Sequence, residues 1–172
     1  MKIKRVVVGP LQTNCYILAS EGKIIVIDPG GDAKKIIKEI EDIEGEVKYI
    51  INTHLHFDHV LKNREIEKKT NGVVLKNLGE GDNVKFGNEE LRVISTPGHT
   101  KESICLLGKS FVISGDLLFL NGHGRVDLPG GSKEEMENTL ERVKNEIPLD
   151  FTVYPGHGDI FTMEEWINSF FK

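Results

Sequence analysis

The sequence predicts an α/β protein built from two β-sheets packed face to face, with helices on the outside. Two observations support this class. Short β-rich runs dominate the chain, and they fall into two groups that each have amphipathic helical stretches attached. The length of 172 residues suits one domain, and no repeat, low-complexity tract or linker interrupts the chain. We therefore expect a single domain over residues 1–172.

Ten short runs rich in Val, Ile, Phe and Tyr are predicted to be strands. The turn Ser20-Glu21-Gly22 joins the second and third of them into a hairpin, and Gly87-Asn88 supplies another turn. The predicted strands are Lys2–Val8, Cys15–Ala19, Lys23–Asp28, Val47–Asn52, Val73–Leu75, Asn83–Phe86, Glu89–Ser95, Ser103–Leu107, Phe111–Ser114 and Phe151–Tyr154.

Four amphipathic stretches are predicted to be helices. Asp32 is the expected N-cap of the first. Ser132, with Glu135 three positions later, has the pattern of a capping box at the start of the third. Trp166 in the last helix is expected to pack on the body of the protein. The predicted helices cover about residues 33–42, 58–69, 133–145 and 163–171.

Composition and charge exclude several classes of protein. The net charge of -5 gives no basic footprint for nucleic acid or anionic membranes. No apolar stretch is long enough to cross a bilayer, and Gly9-Pro10 interrupts the N-terminal apolar run, which is too short for a signal peptide. Two buried free thiols, Cys15 and Cys105, are favoured over a disulfide. We expect a cytoplasmic protein without nucleic-acid or membrane partners.

Seven potential metal ligands, five histidines and two aspartates, each follow a strand-like run. Imidazole and carboxylate are ligands that hold zinc and similar divalent ions in catalytic sites. Seven ligands are too many for one four-coordinate ion but suit two ions that share a bridging carboxylate, so the pattern predicts a two-metal hydrolytic centre. The residues are His54, His56, Asp58, His59, His99, Asp116 and His157.

The spacing within THLHFDH divides the first four ligands into two pairs. His54 and His56 are two residues apart, so they project to the same side of an extended segment and can hold one ion. Asp58 and His59 follow where the chain turns into a helix, so they point elsewhere and can hold a second ion. A single histidine is more often a packed core or surface residue, but packing does not explain the whole set.

The motifs THLHFDH, TPGHT, SGD and PGHGD, together with TNCYIL and IDPGG, resemble those of the metallo-β-lactamase fold superfamily. The resemblance covers nearly the whole chain. Within the superfamily, the chain is most similar to glyoxalase II-type hydrolases of the short single-domain kind. The resemblance implies a four-layer αββα sandwich of two mixed sheets, with the site at the edge between the sheets.

The resemblance also implies roles for the ligands. It implies two divalent ions, zinc first and iron or manganese as alternatives, with a bridging hydroxide that cleaves a thioester such as S-lactoylglutathione. Asp58 would also orient the nucleophile. In the implied assignment the first ion is held by His54, His56 and His99, the second by Asp58, His59 and His157, and Asp116 bridges both.

The segment NGHGRVDLPGGS after Asp116 is the candidate substrate-binding loop. In glyoxalase II a lysine in the comparable segment grips a glutathione carboxylate, and Arg125 is the candidate for that role here. The alternative is a surface arginine bonded to Asp127. His123 lies outside the ligand pattern. Two-domain glyoxalase II enzymes also carry a C-terminal helical domain. We expect no counterpart of it here, so the sequence leaves the thiol part of the substrate unspecified.

Other activities on this fold remain open. A persulfide dioxygenase with one iron carries most of these ligands and a segment like Gly124-Arg125-Val126-Asp127, but PGHGD is typical of hydrolases. Lactonases and esterases are further alternatives. The commonest β-lactamases have a cysteine where this chain has Asp116, and flavodiiron proteins have a glutamate where it has His56. Oligomeric state does not follow from the sequence.

Overall fold

The computed structural model describes residues 1–171, which fall into two compact units. The first unit comprises residues 1–78 and 83–91, and the second comprises residues 79–82 and the chain from residue 92 onward. The helices among residues 1–171 are too short or too polar to span a bilayer.

The first unit is built on a five-stranded mixed sheet in the order β1-β2-β3-β4-β5. The first three strands are antiparallel, whereas β3, β4 and β5 run parallel because helices connect them. Apolar side chains of β1 to β4 form its core with the inner face of the first helix. The elements are β1 Lys2–Val8, β2 Thr13–Ser20, β3 Lys23–Ile27, α1 Ala33–Ile43, β4 Glu46–Ile51, α2 Phe57–Val60, α3 Asn63–Thr70 and β5 Val73–Val74.

The second large sheet has six strands in the order β13-β12-β9-β8-β7-β6 and is also mixed, since β12 runs parallel to β9 and antiparallel to β13. The chain enters the second unit within β7. Two further strands, β10 and β11, form a small hairpin. The elements are β6 Asn83–Phe86, β7 Glu89–Ser95, β8 Ile104–Leu107, β9 Phe111–Gly115, β10 Leu118–Phe119, β11 Gly122–His123, α4 Lys133–Glu146, β12 Thr152–Pro155, β13 Phe161–Thr162 and α5 Met163–Phe170.

Helix α5 is fixed to the β10–β11 hairpin of the second unit. Trp166 is fully buried in the core of that unit, and its indole Nε1 donates a hydrogen bond to the carbonyl of Gly122 at 3.0 Å. The Ser169 hydroxyl donates to Asn121 Oδ1 at 2.7 Å. The last helix therefore packs on the body, as its sequence predicts, and holds the loop that follows Asp116.

The α/β class with two mixed sheets is confirmed, but the helix predicted from Asp58 to Lys69 is wrong as a single element. It is two helices, α2 and α3, separated at Leu61 and Lys62. The backbone N–H of Lys62 bonds to the carbonyl of Pro29 at 2.9 Å, so it does not extend α2. The amphipathic pattern continues across this break, which is why periodicity alone does not show it.

The expected capping role of Asp32 is also wrong. Asp32 has left-handed backbone angles (φ 44°, ψ 49°) and its side chain accepts no hydrogen bond from α1. Its carboxylate accepts the N–H of Gly9 at 2.8 Å, which ties two loops of the first unit together. Ser132 does cap α4, since its hydroxyl accepts from Glu135 N at 3.3 Å.

Candidate metal centre

His54 and His56 come together on the extended loop after β4. His54 Nε2 lies 3.1 Å from His56 Nδ1, and the two rings meet edge to face. The alternation of an extended segment therefore places both imidazoles on one side, as the spacing predicts. His54 is 2% exposed, which keeps its ring nitrogen away from bulk water.

Asp58 and His59 lie side by side on α2. His59 is fully buried, and its Nε2 lies 3.5 Å from Asp58 Oδ2. The hydroxyl of Thr13 donates to the same carboxylate oxygen at 3.1 Å, which fixes the orientation of Asp58. The ring of His59 is 4.0 Å from that of His54, centroid to centroid, so the four candidate ligands of the first unit form one cluster.

Asp28, at the end of β3, is a supporting residue that sequence reasoning missed. It is buried, and its Oδ2 lies 3.0 Å from His59 Nδ1. Its two oxygens also accept from the Thr53 backbone N–H at 2.8 Å and the Thr53 hydroxyl at 2.7 Å. A carboxylate behind a ligating histidine fixes the ring and its tautomer. The available signal was IDPGG, in which an acidic residue ends an apolar strand.

Gly30, two residues after Asp28, allows the backbone to pack directly on α2. A Cβ atom at Gly30 would lie 1.3 Å from the carbonyl oxygen of Asp58 and 3.1 Å from the nitrogen of His59. Any side chain here would push away the helix turn that carries both candidate ligands, Asp58 and His59. The close approach explains why this position is a glycine.

The second unit gathers His99, Asp116 and His157 from three loops that follow β7, β9 and β12. Asp116 Oδ2 lies 3.6 Å from His99 Nε2 and 3.5 Å from His157 Nε2. One carboxylate oxygen thus stands beside two imidazole nitrogens. Phe119 packs its ring edge to face against His157, at 6.3 Å between centroids.

The backbone of the loop after Asp116 orients His99. Its Nδ1 lies 2.7 Å from the carbonyl oxygen of Arg125, so in neutral imidazole this nitrogen is the donor and Nε2, beside Asp116, carries the lone pair. Gly124 makes this approach possible, because a Cβ there would lie 1.9 Å from the Asp116 carbonyl oxygen and 3.1 Å from His99 Nδ1.

We expect Gly124→Ala to lower the free energy of unfolding by about 1–3 kcal/mol, because the added methyl meets backbone that cannot move aside. Metal affinity should fall as well, since the residues displaced are Asp116 and His99. Chemical denaturation and metal titration measure the two effects. Gly122→Ala is the matched control, because a Cβ there has no neighbour within 4 Å. Equal stability of the two variants would contradict this packing.

The spacing and chemistry of the donors fit a divalent metal. Two ligand atoms at 2.0–2.2 Å from a tetrahedral ion stand about 3.3–3.6 Å apart. The four donor pairs described within the two units are separated by 3.1, 3.5, 3.6 and 3.5 Å. Imidazole nitrogen with carboxylate oxygen suits zinc, and also iron and manganese.

Arg125 is bonded to Asp127, which is the alternative to substrate binding that the sequence left open. Its Nε and Nη2 atoms donate to the two carboxylate oxygens of Asp127 at 2.7 and 2.6 Å. This bidentate bond lowers the pKa of Asp127 to about 2. His123 lies on β11, where its Nδ1 is 2.7 Å from the Gly124 carbonyl oxygen and its ring meets Phe170 edge to face.

Both cysteines are free and fully buried, as predicted. Burial raises the pKa of Cys15 well above its usual range and that of Cys105 to about 12. Thiols without thiolate character are poor nucleophiles. The two cysteines are therefore not candidate nucleophiles.

Comparison with known proteins identifies the family. The profile of the metallo-β-lactamase superfamily matches residues 8–84 and 70–157. The chain belongs to this superfamily. A probable metallo-hydrolase from Methanocaldococcus jannaschii is 35% identical, with 86% of this chain and 88% of that protein covered. A hydroxyacylglutathione hydrolase from Pelagibacter ubique is 33% identical over 86% and 67%, and a probable polyketide biosynthesis zinc-dependent hydrolase, PksB of Bacillus subtilis, is 31% identical over 83% and 72%.

Solved structures show the same fold. ETHE1 from Myxococcus xanthus superposes with a TM-score of 0.92 at 25% identity, covering 98% of this chain and 83% of that one. The B3 metallo-β-lactamase BLEG-1 superposes with a TM-score of 0.88 at 24% identity over 97% of both chains. The chain has the metallo-β-lactamase fold, as its motifs predict.

Proposed function

We propose that this protein is a metal-dependent hydrolase of the glyoxalase II type that cleaves thioesters. The seven predicted ligands would hold its metal ions. The observation that carries the proposal is Asp116, one oxygen of which lies 3.5–3.6 Å from two histidine nitrogens, an arrangement compatible with a carboxylate shared by two ions. Relatives named as zinc-dependent hydrolase and as hydroxyacylglutathione hydrolase support the same chemistry.

The assignment of ligands to two ions rests on the family resemblance. Distances inside the first unit support this assignment, since a His54 nitrogen lies next to a His56 nitrogen and an Asp58 oxygen lies next to a His59 nitrogen. In the proposed centre one ion is held by His54, His56 and His99, the other by Asp58, His59 and His157, and Asp116 is shared.

A divalent ion in such a centre lowers the pKa of a bound water toward 7 and polarises a carbonyl oxygen. The protein's own groups prepare the site for that chemistry. Thr13 orients the Asp58 carboxylate, which is 15% exposed and thus reachable by the attacking water. We assign Asp58 the role of holding that water, and later of passing its proton towards the departing thiolate. No serine or cysteine nucleophile is required.

The proposal predicts about two bound ions per chain. Elemental analysis of the purified protein, expressed as ions per chain, measures this directly. Zinc is the expected metal, with iron or manganese as substitutes because the same ligand types accept them. One iron per chain without zinc would contradict the binuclear hydrolase and favour the mononuclear persulfide dioxygenase.

The proposal also predicts that thioester cleavage consumes no oxygen. We expect S-lactoylglutathione or a neutral lactoyl thioester to release thiol, measured with a chromogenic thiol reagent, while an oxygen electrode stays flat. Cys15 and Cys105 do not disturb the assay because both are buried. Oxygen uptake with glutathione persulfide would instead support the dioxygenase, and turnover only of lactones or oxygen esters would support a lactonase or esterase.

We further propose that the protein acts as one domain, in the cytoplasm, on small molecules. The two free, buried thiols support a reducing compartment. The net charge of -5 supports the expectation that neither nucleic acid nor anionic membrane is a partner.

A further inference from the structure

The ion pair between Arg125 and Asp127 lies next to the proposed reaction centre. The Arg125 carbonyl oxygen is 2.7 Å from His99 Nδ1, so one imidazole ring separates this backbone from the ligand atom Nε2. Gly124 is pressed against the Asp116 carbonyl. The start of the Arg125 side chain is therefore held in a fixed place beside two ligands.

The Nε–Nη2 edge of the Arg125 guanidinium is hydrogen-bonded to Asp127. Both carboxylate oxygens of Asp127 accept from it, at 2.7 and 2.6 Å. This is the fork geometry with which arginine recognises a substrate carboxylate. The Arg125 and Asp127 side chains are 61% and 65% exposed, so the pair is on the surface where a substrate can approach it.

A substrate carboxylate meets two obstacles at this pair. If it binds the Nε–Nη2 edge of Arg125, it must displace Asp127. If it binds another edge, the Asp127 charge remains a few ångströms away and repels it. An uncharged thioester meets neither obstacle.

We propose that Asp127 is a specificity-determining residue that neutralises Arg125 and directs the site towards thioesters whose thiol part carries no carboxylate. The inference rests on the proposed thioester hydrolysis and narrows its substrate class. Glutathione, with two carboxylates, is then a disfavoured thiol, and a neutral amide-bearing thiol is a preferred one.

The test compares two thioesters with the same acyl group, S-lactoylglutathione and S-lactoyl-N-acetylcysteamine. The measured quantity is the ratio of their kcat/KM values at low ionic strength. We expect Asp127→Asn to raise the ratio in favour of the glutathione thioester by about fivefold, the upper range for an exposed charge pair. High salt should reduce the gain, because the charges are exposed.

Two further variants test whether the change in the kcat/KM ratio comes from the Arg125–Asp127 ion pair. The double variant Arg125→Gln with Asp127→Asn should lose the gain, because the freed cation is what binds the carboxylate. Glu137→Gln on α4 is the matched control, since it removes one exposed carboxylate that is likewise paired with a cation, Lys133. It should leave the ratio within twofold of the wild type. An unchanged ratio in Asp127→Asn, or a gain that persists without Arg125, would overturn the inference.

Binding of S-methylglutathione separates this inference from the proposed function. Calorimetry should show a Kd about fivefold lower for Asp127→Asn than for the wild type, and no such change for the double variant. If no variant hydrolyses either thioester, the proposed function fails, and the binding result still decides the role of Asp127. Equal affinity of the wild type and Asp127→Asn would refute it.

Discussion

Asp116→Ala is expected to remove bound metal and hydrolytic activity together. The lost oxygen stands beside both His99 and His157, so its removal weakens every ligand set in which the second unit takes part. We expect metal affinity to fall by more than the roughly ten- to hundredfold typical of losing an outer-shell partner. Titration against a competing chelator and thioester turnover measure the two losses.

His123→Ala is the control for this experiment. In the wild type, His123 Nδ1 lies 2.7 Å from the Gly124 carbonyl oxygen and its ring contacts Phe170. The metal content of the His123→Ala protein should therefore match that of the wild type. Retention of two ions by Asp116→Ala would refute the shared role of the carboxylate. A loss of metal in His123→Ala would show that a further ligand exists in the β10–β11 hairpin.

Asp28→Asn is expected to weaken metal binding by about ten- to hundredfold and to lower the free energy of unfolding by about 1–3 kcal/mol. Asp28 is buried, accepts hydrogen bonds from the Thr53 backbone N–H and the Thr53 hydroxyl, and lies 3.0 Å from His59 Nδ1. Asparagine provides one acceptor oxygen in place of two and adds donors that have no acceptor there. The ring of His59 then loses the support that fixes its orientation.

Two measurements separate the effects of Asp28→Asn. Denaturant unfolding in the presence of a chelator reports the intrinsic stability, and metal titration reports the site. Thr53→Ser is the matched control, because it keeps both the backbone N–H and a hydroxyl. If Asp28→Asn bound metal as tightly as the wild type, the proposed support of His59 would be wrong.

The candidate ligands could be picked out from the sequence because each one follows an apolar run that ends at a loop. His54 and His56 show the simplest case, since alternation in an extended segment fixes their common side. Cys15 and Cys105 were predictable for a similar reason, since each lies within an apolar strand. These features depend on neighbours in the chain, which the sequence displays directly.

Features that depend on distant backbone could not be predicted. The break between α2 and α3 depends on a bond from Lys62 to Pro29, 33 residues away in the chain. Asp32 has the residue type of an N-cap, but its carboxylate bonds to Gly9 because its backbone is left-handed.

Very short strands were missed for another reason. The strands β10, β11 and β13 have two residues each, too few to show alternation.

The two buried thiols provide an internal probe of folding cooperativity. Cys15 lies in β2 of the first unit and Cys105 in β8 of the second, and each is inaccessible to an alkylating reagent until its own strand is exposed. Mass spectrometry can count alkylation at each cysteine in mild denaturant. Equal opening free energies at the two positions would mean that the chain unfolds as one cooperative domain, whereas unequal values would give each unit a separate stability.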